Sequence, residues 1–354
     1  MPITGLLLGT ALGFAMQRGR FCVTGAFRDV WISRNTRWLT AFMMVIAIQS
    51  AGIFALAALG VIDLQSKAFP WLATIVGAFI FGFAIVLAGG CATGTYYRSG
   101  EGLVGSWLAL VFYALFSSIM KTGPLAQLTA LLRGITVRQG NIYQTLGISP
   151  WVLVALLAAV VVIMARHHLA RPGFKMAALP PEKTGLAHLL FEKPWGAFAS
   201  AAVIGIIAIA AWPLSSATGR NDGLGITTPS ANLIGFLTTG NIKLVDWGVY
   251  LVLGLLLGSF AAAKTSGEFR VRVPDAKQAV KSVAGGALMG VGASLAGGCT
   301  IGNAMVQTAQ FSFQGWVAFG VMILGTGAAA KLTIRRTGST APAVAKPARS
   351  SVGV

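Results

Sequence analysis

The chain has 354 residues, 55% hydrophobic and 10% charged, whereas a soluble domain carries about 25% charged residues. Its 27 Lys and Arg against nine Asp and Glu give a net charge of +18, which in so apolar a chain reads as basic loops that fix membrane topology rather than as a nucleic-acid surface. Nine acids and three histidines supply no paired carboxylates, no Ser/His/Asp set and no HExxH helix, so the usual membrane hydrolases are excluded.

In chain order, an apolar helix over 3–17 ends at Gln17-Arg18-Gly19-Arg20, the reverse of a signal peptide, whose basic region comes first. Further crossings are expected over 38–62, 70–88, 103–120, 149–165, 196–213, 246–263, 282–295 and 316–334. Most approach the roughly 20 residues that a hydrocarbon core needs, and none shows the alternation of a membrane β-barrel. Residues 121–148 read as a loop carrying Lys121, Arg133 and Arg138, and 166–195, with its prolines and charges, as an extra-membrane linker. His167, His168 and His188 fall in that polar stretch, far in sequence from every cysteine, so a His/Cys metal site is not expected. Four stretches, 20–30, 89–100, 229–240 and 297–314, are too short or too Gly-broken to span. They read as re-entrant segments or half-helices, tolerated at membrane depth only when buried in protein or lining a cavity.

The expected fold is therefore an all-α polytopic membrane protein with about nine transmembrane helices and about four short half-helices. Its divisions are a first membrane half (1–165), a basic cytoplasmic linker (166–195), a second membrane half (196–336) and a disordered cytoplasmic tail (337–354). Placing the basic segments 18–37, 166–195, 264–281 and the tail in the cytoplasm puts the N-terminus in the periplasm and the C-terminus inside. Helix 70–88 then runs inward and 282–295 outward, as in transporters built from inverted repeats.

That pair carries an internal repeat. Leu87-Ala88-Gly89-Gly90-Cys91 recurs as Leu295-Ala296-Gly297-Gly298-Cys299, with Gly77, Gly82 and Gly94 matched by Gly285, Gly290 and Gly302. The third cysteine, Cys22, shares the Cys-x-x-Gly spacing, through Gly25. Three such turns are expected to surround one site. No carboxylate falls mid-span, which lowers proton- and cation-coupled classes. Glycine, threonine and thiol remain. Freed backbone N–H groups at helix N-termini favour an anion, and neutral thiols suit a soft, sulfur-containing one that passes from thiol to thiol without a covalent step. Thr24 and Thr93 follow their cysteines by two residues and Thr300 follows Cys299 by one; these hydroxyls either face the ion or bond back to their helices. Arg98 and Glu101 read as a local ion pair, and Arg18 and Arg20 as either anion-steering groups or a helix-end anchor.

Met16-Gln17-Arg18-Gly19-Arg20-Phe21-Cys22, Leu-Ala-Gly-Gly-Cys-Ala-Thr-Gly at 87–94 and Ala-Gly-Gly-Cys at 296–299 resemble the YeeE/YedE family of bacterial membrane proteins, above all its thiosulfate-uptake members. The resemblance implies an inner-membrane importer of thiosulfate, not an enzyme. It implies that Cys22, Cys91 and Cys299 contact the ion; Gly90, Gly298, Thr24, Thr93, Thr300, Gln17 and Arg20, in or beside the same turns, are the further candidates read from the sequence itself. It implies no cofactor, the lipid bilayer and thiosulfate as the molecular surroundings, no nucleic acid, and a separate TusA-like sulfur-carrier protein in the cytoplasm. A membrane thiol redox or sulfur-transfer protein, or a channel for another small anion such as sulfite, stays open beside it.

Overall fold

The computed structural model describes residues 3–138, 140–170, 185 and 188–333. In hydrocarbon a backbone must satisfy its own N–H and C=O groups, so long uncharged runs fold as helices. The chain forms α1 (Ile3–Gly19), α2 (Val23–Ile32), α3 (Arg37–Ala58), α4 (Trp71–Leu87), α5 (Ala92–Gly100), α6 (Val104–Lys121), α7 (Ala126–Gly134), α8 (Ile142–Leu146) and α9 (Pro150–Ala170). It continues with α10 (Ala197–Ser216), α11 (Thr227–Thr239), α12 (Trp247–Thr265), α13 (Ala276–Ala296), a π-helical turn (Gly302–Gln307) and α14 (Phe313–Thr333). Among the described residues, eight segments are long and apolar enough to cross a membrane. The ninth expected crossing, α1, has 17 residues, about 25 Å at the rise of an α-helix. The chain is an all-α polytopic membrane protein.

Glycines set the helix pairs and reveal their directions. A Cβ on Gly5, Gly9 or Gly13 would meet the backbone of Trp247, Leu251 or Leu255 in turn, so α1 and α12 run parallel. Gly52 against Ile209 and Gly205 against Ile48 make α3 and α10 parallel in the same way. Gly286 against Ala109 and Gly290 against Tyr113 pair α13 with α6, while Gly82 against Met322 pairs α4 with α14. There Thr326 donates to the Gly82 carbonyl at 3.0 Å. By contrast Gly77 faces Ala296 and Gly285 faces Ala88, so α4 and α13 are antiparallel. These directions are those of successive alternating crossings, with α4 and α13 at the centre. The glycines matched by the repeat now have a common cause. Gly77 and Gly285 sit at the central crossing, and Gly82 and Gly290 at the two equivalent flanking ones, where small residues let backbones touch.

The structure also corrects several boundaries. Residues 121–148 are not a plain loop: they hold α7 and α8, and bridges Phe69↔Val137 and Asn141↔Ser312 tie the segment down. Helix α9 reaches Ala170, so His167 and His168 are helical. The second half-helix of the repeat is π-helical, not α-helical. The sequence-expected tail, 337–354, and much of the linker lie outside the described residues.

Candidate functional site

The repeated pentapeptide is a stop followed by a start. Gly89 (φ 72°) and Gly297 (φ 82°) adopt the left-handed conformation that ends α4 and α13, a position glycine takes without strain. Two of the cysteines begin new helices. Cys22 caps α2, its sulfur accepting the Gly25 N–H at 3.3 Å, and Cys91 caps α5, accepting the Gly94 N–H at 3.4 Å. The Cys299 thiol lies within bonding reach of the Ile301 and Gly302 N–H groups. At Cys22 and Cys91 Cys-x-x-Gly is thus a thiol N-cap, the sulfur standing where a Ser or Asp oxygen usually accepts, whereas the π-helical turn after Cys299 has Ile301 at its cap and no side-chain cap bond. The glycine is not demanded by packing. A Cβ on Gly25 would meet only Cys22, in ordinary contact at 3.7 Å, and one on Gly302 would meet nothing within 4 Å.

All three thiols are free. Cys91 and Cys299 are fully buried, and Cys22 partly so. Cys91 lies within electrostatic range of both Cys22 and Cys299. The Thr300 hydroxyl faces the Cys91 thiol without completing a hydrogen bond. The hydroxyls of Thr24 and Thr93 do not bond back to their helices; both are buried and lack a partner in the protein. Cys299 faces the Thr227 hydroxyl, which accepts from Tyr113 at 2.9 Å, and Tyr96 bonds Ser230 at 2.7 Å. Hydroxyls of α5, α6 and α11 therefore wall the buried centre.

Two cavities flank it. One, of about 380 Å³, is basic, lined by Arg20, Cys22, Thr24, Arg98 and Lys281 with Arg28 beside Asp29. The other, of about 50 Å³, is lined by Arg220 and Asp222 with Thr227, Thr228, Gly297, Gly298 and Gly302. Lys121 donates to Thr228 at 2.5 Å beside the second. The first cavity touches Gln278 in the opening turn of α13 and the second touches Gly297 at its end. They are separated by the length of that helix, roughly 28 Å.

The other residues singled out from sequence are placed as follows. Gln17 donates to Glu268 at 2.7 Å, and Arg20 meets the same carboxylate at 3.1 Å while lining the Cys22 cavity. Gly90 and Gly298 lie in the two breaks; Gly298 lines the smaller cavity. The expected Arg98–Glu101 ion pair is absent among the described residues. Arg98 donates instead to the Cys22 sulfur at 3.4 Å and to the Gly89 carbonyl. Glu101 remains close enough for Arg98 and Arg20 to pull its carboxyl down, but burial outweighs them and raises it above its ordinary range. Side chains with no local sequence signature hold the second break. Arg133 donates to the Leu295 carbonyl at 3.0 Å, Asn303 to the Ala296 and Gly298 carbonyls at 2.9 and 3.0 Å, and Gln314 to Ala296 at 3.0 Å. Irregular backbone at this depth is satisfied from within the protein, as it must be. No His/Cys/Asp/Glu cluster able to hold a metal occurs among the described residues.

A family model for sulphur transport matches residues 18–328. The chain is 50% identical over 336 residues to the thiosulfate transporter TsuA of Escherichia coli K12, covering 95% of this chain and 96% of that protein. It is 32% identical over 348 residues to the thiosulfate transporter TsuA of Spirochaeta thermophila, covering 94% and 99%. A shorter match, 41% identical over 102 residues, links 29% of the chain to 25% of the probable transporter YedE of E. coli K12.

Proposed function

The chain belongs to the sulphur transport family, and we propose that it imports thiosulfate across the bacterial inner membrane. The observation that carries this reading is the set of three free thiols, two of them fully buried, between a basic cavity at Cys22 and a smaller one holding Arg220. Two relatives matched over nearly their whole length are thiosulfate transporters. Thiosulfate is a dianion with a soft terminal sulfur and three hard oxygens. Cations at the cavity mouths raise its local concentration, first-turn N–H groups and the unpartnered hydroxyls of Thr24, Thr93 and Thr300 receive its oxygens, and neutral thiols donate weakly to its sulfur. Weak, repeated sites let an ion enter and also leave. The ion meets Cys299, Cys91 and Cys22 in that order.

In this reading the Cys22 cavity faces the cytoplasm, which puts the N-terminus in the periplasm and the C-terminus inside, and a separate TusA-like sulfur carrier receives the product there. Gly90 and Gly298 keep the two breaks open, and Gln17 and Arg20 shape the inner mouth. A host lacking its own sulfate and thiosulfate importers should grow on thiosulfate when given this chain. Cys91→Ala should abolish growth at unchanged membrane levels; full growth of the Cys22, Cys91 and Cys299 variants alike would sink the relay. Thiosulfate labelled on either sulfur should enter at one rate, since no S–S bond breaks.

A further inference from the structure

Arg98 stands apart from its neighbours. Arg18, Arg20 and Arg28 each have a carboxylate within 4 Å, through Glu268 or Asp29. Arg98 has none among the described residues, although Glu101 lies three residues on along the chain. Its guanidinium is partly buried, and its acceptors are all neutral: the Gly89 carbonyl, the Cys22 sulfur and the Tyr97 hydroxyl, the last two at 3.4 Å. Glu101 and Glu268 share a cavity wall with it, but neither pairs with it, so its fork of donors is held by neutral groups alone, without the ion pair that ordinarily offsets burial of a cation. The side chain also forms part of the wall of three cavities, of about 380, 300 and 160 Å³. Any anion leaving the buried thiols toward Cys22 passes it.

We propose that Arg98 is the charged ligand of the anion at the Cys22 end of the path, its present acceptors marking where the anion's oxygen and sulfur settle. The Gly89 carbonyl stands in for an oxyanion oxygen and the Cys22 thiol for a soft sulfur neighbour. The planar guanidinium serves both at once, with two of its five N–H donors to spare. A dianion arriving here displaces the carbonyl from Arg98 and frees Gly89, which ends α4 in a left-handed turn. Arg98 thereby couples occupancy of the site to the backbone of the first break. This role rests on the thiosulfate-import reading above.

The test separates the two. Cys22 is the one cysteine with exposed surface, so its modification by methanethiosulfonates with a sulfonate or a trimethylammonium head can be followed by peptide mass in the intact protein in membranes. In the wild type the sulfonate reagent should be favoured, and thiosulfate should slow both at the concentration that half-saturates uptake. Arg98→Gln should lower the sulfonate-to-ammonium rate ratio by about tenfold, the effect of one nearby charge, remove the thiosulfate protection, and raise the KM for uptake more than it lowers the maximal rate. Arg98→Lys should keep the reagent ratio with partial uptake. An unchanged reagent ratio and unchanged KM in Arg98→Gln overturn the assignment. Absence of uptake by the wild type overturns the import reading instead, and the reagent ratio then judges Arg98 by itself.

Discussion

Asn303 offers a calibrated perturbation of the second break. The residue is fully buried. Its amide donates to Ala296 O at 2.9 Å and Gly298 O at 3.0 Å, and its oxygen accepts from Gln314 at 2.8 Å. Asn303→Ala leaves Ala296 O with Gln314, 3.0 Å away, but orphans Gly298 O, the carbonyl just before Cys299. An unsatisfied buried acceptor costs about 1–3 kcal/mol. Gln314→Ala orphans no backbone carbonyl, because Asn303 still holds Ala296, but it leaves the buried Asn303 side-chain oxygen without its donor and should also cost about 1–3 kcal/mol. Asn303→Asp is the sharpest variant. It turns a donor facing two carbonyls into a buried acceptor and should be the worst of the three. Thermal unfolding followed with a thiol-reactive dye reads this directly, since Cys91 and Cys299 are buried until the fold opens. Asn303→Asp should lose the most, with Asn303→Ala and Gln314→Ala alike and milder, since each orphans one buried oxygen. If Asn303→Ala stays within about 0.5 kcal/mol of wild type, the assignment of Gly298 O to Asn303 is wrong. If Asn303→Asp is as mild as Asn303→Ala, the amide is oriented the other way.

Gly302→Ala should leave unfolding within about 0.5 kcal/mol of wild type, since a Cβ there meets nothing within 4 Å. It should nonetheless slow uptake, because that methyl enters the cavity beside Cys299; unchanged uptake at normal membrane levels would show that the cavity is off the path. Gly290→Val places a Cβ 2.7 Å from Tyr113 O and 2.8 Å from Ser117 N, both backbone atoms, and should cost about 1–3 kcal/mol in yield or unfolding midpoint, whereas Gly320→Ala, with open space around it, should be neutral or stabilising by up to about 1 kcal/mol. Arg20→Gln removes an ion pair whose arginine is 68% exposed and should change stability by less than about 1 kcal/mol. Glu268→Gln also strips the carboxylate from Arg18, which is 2% exposed, so unfolding should show the larger loss there; equal losses would dismiss Glu268 as the hub of this corner.

Much of this architecture was legible because membrane depth leaves few choices. Apolar runs and basic loops gave alternating crossings, and the helix directions found at the glycine contacts agree with them. The Cys-x-x-Gly spacing read as a repeated turn but not as a cap; the thiol N-cap at Cys22 and Cys91 follows from the sulfur bonds to the N–H three residues on. What escaped sequence reading were polar partners distant in the chain. Arg133 and Leu295 are 162 residues apart, Arg98 and Cys22 are 76, and Tyr113 and Thr227 are 114. Such pairs have no period and no fixed offset. Arg98 was misread for the opposite reason: Glu101 offered an obvious local partner, and only the fold brings the Cys22 sulfur to it. Thr24 and Thr93 were ambiguous until their hydroxyls were seen to be without partners.

The pairing of α1 with α12 also bears on how the chain is made. The contacts of Gly5, Gly9 and Gly13 with Trp247, Leu251 and Leu255 join stretches about 240 residues apart, and a ribosome adding roughly 5–20 residues per second needs about 12–50 s to cover that interval. For that time α1 sits in lipid with the glycine face that will meet α12 bare. Its sequence must be stable alone in the bilayer before it can be correct in the protein, and any delay in making the second half prolongs the period in which a wrong neighbour can take its place.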